Sequence, residues 1–368
     1  MTKPLITFVL GTRPEAIKLA PVIIRFQESS LFSTKILLTG QHKEMVLQVF
    51  ELFKLKAHKN LNLMKHGQSL NYISSSIIEG LSKEFQLNQP NLVIVQGDTT
   101  SAFSAALVAF HEKIPVAHIE AGLRTHDNMN PYPEEVNRKL ISQIANLHFA
   151  PTKLSKNNLL REGIKDNVFI TGNTVIDALL IISRNESISN KLDFDWENKK
   201  VIFSTLHRRE NWGGNLIKIS EGIKKILLNH KDTFLLMPLH KNKIVREVLK
   251  SEFQSFPRVL LTEPLNYFSV VEIIKKCTLI LTDSGGLQEE APTFGKPLLI
   301  LRNNTERPEA VESGVAKLAG TNSENIYKMA SELLEDQAKY DQMAKAKNPF
   351  GDGNASNKIF DACLQFLG

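Results

Sequence analysis

Ile114-Pro115-Val116-Ala117-His118-Ile119-Glu120-Ala121-Gly122-Leu123-Arg124 reads as a buried strand that runs straight into a charged loop. Pro133-Glu134-Glu135-Val136-Asn137-Arg138 follows shortly after and reads as the start of a helix. Two acidic positions, Glu120 and Glu134, therefore sit on the loop and helix start that leave the carboxyl end of a strand. In open α/β sheets this is where ligands bind. Packing alone is a poor account of so many ionisable groups, because buried charge is costly unless it is paired or used.

Working outward from this stretch, apolar runs and amphipathic segments alternate along the whole chain. In the first half Leu5–Leu10, Lys35–Thr39, Leu92–Gln96, Val116–Ile119 and Leu147–Ala150 read as strands. In the second half Val201–Thr205, Thr233–Met237, Arg258–Leu261, Leu279–Thr282 and Leu298–Leu301 do so. Such alternation predicts an α/β protein with parallel sheets and crossover helices. A chain of 368 residues exceeds one ordinary core and predicts two domains. The turn-forming Thr171-Gly172-Asn173 marks the hinge, dividing residues 1–172 from 173–353. A last amphipathic helix, Ser356–Phe366, follows the turn-rich Asn348–Gly353.

A net charge of +6 suits small anionic ligands, and no run of basic residues is long enough for a nucleic-acid surface. No apolar stretch reaches the ~18–20 residues that span a bilayer. Polar Thr12-Arg13-Pro14-Glu15 follows Leu5–Leu10 at once, which fits a first strand and its loop rather than a signal peptide. Cys277 and Cys363 have no metal spacing and predict reduced thiols in the cytosol. His58, His111, His148 and His230 show no ligand spacing and read as surface or core residues. No His/Cys/Asp cluster fits zinc or a two-metal centre.

Four further motifs stand at strand ends. Gly11-Thr12-Arg13-Pro14-Glu15 opens a helix whose N-terminus attracts anions, with the Arg13 fork suited to phosphate. It lacks the remaining glycines of a dinucleotide fingerprint and the Gly-Lys-Ser/Thr of a P-loop. In Gly97-Asp98-Thr99-Thr100, Asp98 reads either as a helix N-cap or, level with Glu120, as a catalytic group. His207-Arg208-Arg209-Glu210-Asn211 occupies the equivalent place in the second half, and histidine is the side chain most easily tuned near neutral pH. Thr282-Asp283-Ser284-Gly285-Gly286 starts a helix with bare backbone N–H groups, the arrangement that suits a diphosphate. Glu290 lies ~7–9 Å along that helix, about the reach of a ribose beside the phosphates. Arg307 starts a further helix and is a second phosphate candidate.

Together these motifs, with Thr39-Gly40-Gln41-His42, Gly172-Asn173-Thr174-Val175-Asp177 and Arg307–Val311, resemble the bacterial non-hydrolysing UDP-N-acetylglucosamine 2-epimerases through nearly the whole chain. The resemblance implies two Rossmann-like domains facing a cleft, similar to the B-type glycosyltransferases, with the C-terminal helix, residues 354–368, returning to the first domain. It implies interconversion of UDP-N-acetylglucosamine and UDP-N-acetylmannosamine, supplying cell-surface polysaccharide synthesis. NAD, metal or other cofactor would not be needed, and the enzyme would be a cytoplasmic homodimer whose one partner is the UDP-sugar.

The C2 proton of the sugar has no neighbouring carbonyl to acidify it. Departure of UDP makes C1 cationic and C2–H acidic, and loss of that proton gives a glycal with a C1–C2 double bond. UDP then re-adds as a proton arrives on the other face of C2. Such chemistry needs proton-transfer groups on both faces and a firm hold on UDP. Carried over by motif, the resemblance implies Asp98, Glu120, Glu134 and His207 as the catalytic set, with Arg13, Lys18, Ser284, Gly285, Gly286, Glu290 and Arg307 expected to bind the nucleotide sugar. Gln41, His42, Gln68 and Arg208 or Arg209 lie in motifs linked to an activating second UDP-N-acetylglucosamine site. The chain departs from the family pattern at His240-Lys241-Asn242-Lys243, where His-x-Asn-Pro is common, and at His66-Gly67-Gln68, where Pro-Gly-Gln is common. Both departures bear on the second site. An epimerase of a 2,3-diacetamido sugar and a glycosyltransferase of the same fold are the alternative readings. Three carboxylates in the first half suit proton traffic on two faces better than the single base of an inverting transferase.

Overall fold

The computed structural model describes residues 3–63, 67–184 and 194–368. His66 and part of the polar stretch 183–200 fall outside them. The chain forms two compact units, one of residues 1–182 with 350–368 and one of residues 183–349.

The first unit holds a parallel sheet of β1 (Leu5–Leu10), β2 (Ser33–Leu38), β3 (Lys59–Asn60), β4 (Leu92–Gln96), β5 (Val116–Ile119), β6 (Leu147–Ala150) and β7 (Val168–Ile170). Their spatial order is β3-β2-β1-β4-β5-β6-β7. The second unit repeats the scheme with β8 (Lys200–Thr205), β9 (Thr233–Pro238), β10 (Val259–Thr262), β11 (Leu279–Thr282), β12 (Leu298–Ile300) and β13 (Ala316–Leu318), ordered β10-β9-β8-β11-β12-β13. Both orders are those of the doubly wound Rossmann fold, and the order reverses between β1 and β4 and between β8 and β11. The central strands are buried throughout and mostly apolar, as helices on both faces of a parallel sheet require. Pairing is in step across each reversal, with Phe8 beside Ile94 and Thr282 beside Thr205.

Three short strands, β3, β7 and β13, were not among the strands expected from the sequence. All three lie at sheet edges and have two or three residues. A strand that short carries no period for the sequence to reveal.

The helix Thr174–Ser183 packs in the first unit through Val175, Ile176, Ala178 and Leu179, so the contacts divide after Ile182 rather than at the Thr171–Asn173 turn. The helix Ala355–Leu367 also belongs to the first unit. Phe360 stands edge-on to Phe26 and Phe32, with ring centroids 5.0 and 5.4 Å apart, and the Arg25 guanidinium lies 3.7 Å over its face. Among the described residues no helix is long and apolar enough to cross a membrane. Both cysteines are free and buried.

Candidate active site

In the first unit the loops after β1, β4 and β5 converge on the point where the strand order reverses. The helix Arg13–Gln27 begins there, with Pro14 in its first turn. Gly11 cannot be larger, because a Cβ would stand 2.2 Å from Thr39 Oγ1. Glu15 is buried and turns back to accept the N–H groups of Gly11 (2.7 Å) and Thr12 (2.6 Å) and the Thr99 hydroxyl. Burial holds its carboxyl above the usual range although these bonds oppose the rise. Glu15 thus ties the β1 loop to the β4 loop. Arg13 is half-buried and has no hydrogen-bond or ion-pair partner among the described residues.

Gly97 adopts a left-handed backbone (φ 73°) that turns the chain sharply after β4. The following helix is capped by Thr99, which accepts the Ala102 N–H, so Asp98 is not the cap. Asp98 instead pairs with Arg138, while its carbonyl accepts from the Asn137 side chain at 2.9 Å. Burial raises the Asp98 carboxyl above its ordinary value; Arg138 opposes the rise, and the charges of Glu120 and Glu134 add to it. The three sequence-predicted carboxylates therefore lie near enough to one another for the charges of Glu120 and Glu134 to act on Asp98.

Glu120 is a non-glycine residue with a left-handed backbone (φ 67°). Such a conformation costs on the order of 1 kcal/mol or more and persists where the surroundings impose it. Its Oε1 accepts from Lys18 Nζ and from Asn173 Nδ2 (3.3 Å), and its Oε2 accepts from Gln96 Nε2. Lys18, expected on the nucleotide sugar, is thus paired with Glu120 here.

The adjacent glutamates 134 and 135 differ completely. Glu135 is buried and accepts the N–H groups of Thr125 (3.0 Å) and His126 (3.1 Å) and the Arg138 guanidinium, which fixes the loop before it. Glu134 is half-buried and has no hydrogen-bond or ion-pair partner among the described residues. His118 is fully buried with Nε2 2.7 Å from the Gly97 carbonyl, and burial lowers its pKa to about 3. It is therefore a neutral brace for the Gly97–Asp98 turn. Arg124 is likewise spent internally, on Glu162 and Ser142.

The second unit builds its counterpart from the loops after β8 and β11. Asp283 is fully buried and accepts the N–H of His207 (3.0 Å), the N–H of Arg208 (2.9 Å) and the Asn211 side chain (3.0 Å). It also lies 3.2 Å from His207 Nδ1. Burial lowers the His207 pKa, Asp283 opposes that, and Arg208, His240 and Arg302 reinforce it. The His207 ring stacks on His240 at 5.9 Å. Neither Glu15 nor Asp283 received a role from the sequence, although each stands inside a quoted motif; a buried clamp and a solvated acid look alike in sequence.

Ser284 precedes the helix Gly285–Glu290; Gly285 is buried and Gly286 exposed. A Cβ at Gly285 would meet Arg208 Nη2 at 3.4 Å, so this guanidinium lies over the helix start. Glu290 is buried and accepts from the Tyr267 hydroxyl at 3.2 Å, so it is not a solvated acid. Arg307 pairs with the buried Glu289. Arg209 is exposed.

Of the residues linked to a second site, Gln41 accepts from Ser101 at 2.8 Å, and the His42 N–H donates to the Gly11 carbonyl at 2.8 Å. Burial lowers the His42 pKa. These two therefore adjoin the β1 loop. Gln68 is half-buried just before the helix Leu70–Leu87. No group of three or more His, Cys, Asp or Glu among the described residues is arranged to hold a metal ion.

Two doubly wound units, each with ionisable groups gathered where its strand order reverses, define a two-unit Rossmann-like α/β enzyme. The particular family follows from comparison with known proteins: residues 24–364 match the UDP-N-acetylglucosamine 2-epimerase family, and the chain belongs to it. It is similar to the UDP-N-acetylglucosamine 2-epimerase of Neisseria meningitidis serogroup A, 46% identical over 97% of this chain and 98% of that protein. The Bacillus subtilis enzyme of the same name is 44% identical over 100% and 97% of the two chains. The crystal structure of the Neisseria meningitidis enzyme bound to UDP-GlcNAc superposes with a TM-score of 0.90 at 45% identity, covering 98% of this chain and all of that one. The Methanocaldococcus jannaschii enzyme in complex with UDP-GlcNAc and UDP gives 0.81 at 36% identity, covering 98% and 99%.

Proposed function

We propose that this chain interconverts UDP-N-acetylglucosamine and UDP-N-acetylmannosamine by eliminating UDP and adding it back. The observation that carries the mechanism is the gathering of Asp98, Glu120 and Glu134 at neighbouring strand ends, close enough for Asp98 to feel both other charges. In the forward direction the C1–O bond breaks with its electron pair leaving on UDP. The C2 proton passes to one carboxylate and the C1–C2 double bond forms. A second carboxyl then delivers a proton to the opposite face of C2 as a UDP oxygen attacks C1. Asp98, whose carboxyl burial keeps protonated at higher pH, suits the role of donor. Glu120, held on both oxygens by Lys18, Gln96 and Asn173, suits the role of a fixed acceptor, and Glu134 faces the substrate without a partner of its own. His207, neutral at physiological pH, serves the departing diphosphate.

Nucleotide binding falls in the second unit to Ser284, Gly285, Gly286 and Arg307 at the diphosphate and Glu290 at the ribose, and in the first unit to Arg13 and Lys18. Gln41, His42 and Gln68 of the first unit and Arg208 or Arg209 of the second are the candidates for binding an activating second UDP-N-acetylglucosamine. The enzyme acts in the cytosol as a homodimer, and its products feed cell-surface polysaccharide synthesis.

The deciding experiment is proton NMR of UDP-N-acetylglucosamine turned over in deuterated water. Both UDP-sugars recovered will carry deuterium at C2, and added NAD or EDTA will leave the rate unchanged. Epimerisation with full retention of the C2 proton would sink the elimination route.

A further inference from the structure

Asn173 has no place among the catalytic or nucleotide-binding residues, yet its polar groups go to three different places. It is buried and immediately precedes the helix Thr174–Ser183. Its backbone N–H donates to the Phe350 carbonyl at 2.6 Å. Its side-chain Oδ1 accepts the Val175 N–H at 3.0 Å, and its Nδ2 donates to Glu120 Oε1 at 3.3 Å. Only a side chain that is acceptor and donor at once can make the last two bonds together, and at this length that is asparagine.

The surroundings of Asn173 are rigid. Gly172 has a left-handed backbone (φ 89°), and a Cβ there would stand 3.2 Å from both Gly351 Cα and the Phe350 carbonyl. One turn further on, buried Asp177 accepts the N–H groups of Ala355 (3.2 Å) and Ser356 (2.8 Å). The segment 172–177 is therefore bonded backbone to backbone, and side chain to backbone, onto the segment 350–356. Glu120, by contrast, sits on a strained loop whose own dihedral preference does not aim it.

We propose that Asn173 is a positioning residue for Glu120, fixing the direction of that carboxylate and anchoring it to the junction where the chain returns to the first unit. The proposal rests on the reading of Glu120 as a proton-transfer group. Displacement of a reacting group by ~1 Å can cost ~10²-fold in rate, so the contact matters to turnover more than to folding.

The test is Asn173→Asp. It keeps the backbone N–H to Phe350 and an oxygen for Val175, and replaces only the donor to Glu120 by an oxygen that repels it. The expected result is a turnover ~10–100-fold lower, with UDP affinity close to that of the parent and a melting temperature lowered by the new charge buried beside Glu120. Glu120→Gln and the double variant are measured beside it. Where Glu120 is already lost, the change at 173 should slow turnover little further, because its target is gone. Asn173→Asp with near-parent turnover, beside a crippled Glu120→Gln, overturns the positioning role. A parallel loss of UDP affinity and turnover makes Asn173 merely structural and overturns it too. Near-normal turnover of Glu120→Gln instead removes the reading of Glu120 on which the proposal stands.

Discussion

Each unit closes the reversal of its strand order with a buried carboxylate, but from opposite sides. In the first unit the clamp is Glu15, on the β1 loop, reaching Thr99 on the β4 loop. In the second it is Asp283, on the β11 loop, taking N–H groups from His207 and Arg208 on the β8 loop. The choice of side decides what is left over. Where the first loop supplies the clamp, the acid of the other loop, Asp98, remains available beside Arg138, and the place fills with carboxylates. Where the other loop supplies it, that acid is consumed, and what remains is a neutral histidine, an arginine and the helix start at Gly285–Gly286. One architecture thus gathers carboxylates at the reversal in one unit and a histidine, an arginine and a glycine-led helix start at the reversal in the other.

The contrast is broken most forcefully by Glu120→Gln. Glutamine keeps the shape but cannot exchange the proton, so turnover should fall ~10²–10⁴-fold. UDP affinity should stay within a few-fold, because the second unit is untouched. Titration with UDP beside the steady-state rate checks both; normal turnover would move the proton transfer to Asp98 and Glu134. The converse change, Glu290→Ala, should weaken UDP binding by ~1–3 kcal/mol, the usual loss of a charged hydrogen-bond partner. Calorimetric titration measures it, and unaltered affinity would confine Glu290 to its bond with Tyr267.

The smallest effects come from the clamps themselves. Glu15→Gln keeps an oxygen for the N–H groups of Gly11 and Thr12, and the Thr99 hydroxyl can reverse to accept from the new amide. It should cost about 1 kcal/mol or less in stability. Asp283→Asn sets an amide against the His207 N–H and Nδ1, so turnover should drop about ten-fold even where melting barely moves. The first variant also carries a pH signature. The native Glu15 carboxyl is raised by burial, so its contribution to stability is complete below the ordinary carboxylate range and is lost as pH rises through the raised value. Glutamine does not titrate. The gap in melting temperature between parent and variant should therefore narrow as pH rises above the ordinary carboxylate range; a widening gap would show that burial does not dominate at Glu15.

The sequence revealed the central strands almost to the residue, because a strand buried on both faces is an unbroken apolar run, as in Leu92–Val95. It hid Lys59–Asn60 and Ala316–Leu318, which pair along one side only and carry no pattern. The Asp98, Glu120 and Glu134 positions were legible from their place after strands. The clamps were not, since Glu15, Glu135 and Asp283 differ from solvated acids only in what surrounds them. Nor did the Thr171–Asn173 turn announce that the helix after it, with the apolar Val175 and Leu179, stays with the first unit. The sequence marks where a chain turns, not which core claims the next segment.

That the first unit is assembled from residues 1–182 and 350–368 has a consequence for how the molecule is made. Synthesis proceeds from the N-terminus, so the second unit is completed while the first still lacks its closing helix. Until Phe360 emerges, Phe26 has only Phe8 and Phe32 beside it, Phe32 lacks its second ring partner, and Asp177 lacks the N–H groups of Ala355 and Ser356. The first unit is begun first and finished last, and its nascent form carries an uncovered aromatic face throughout the translation of its neighbour.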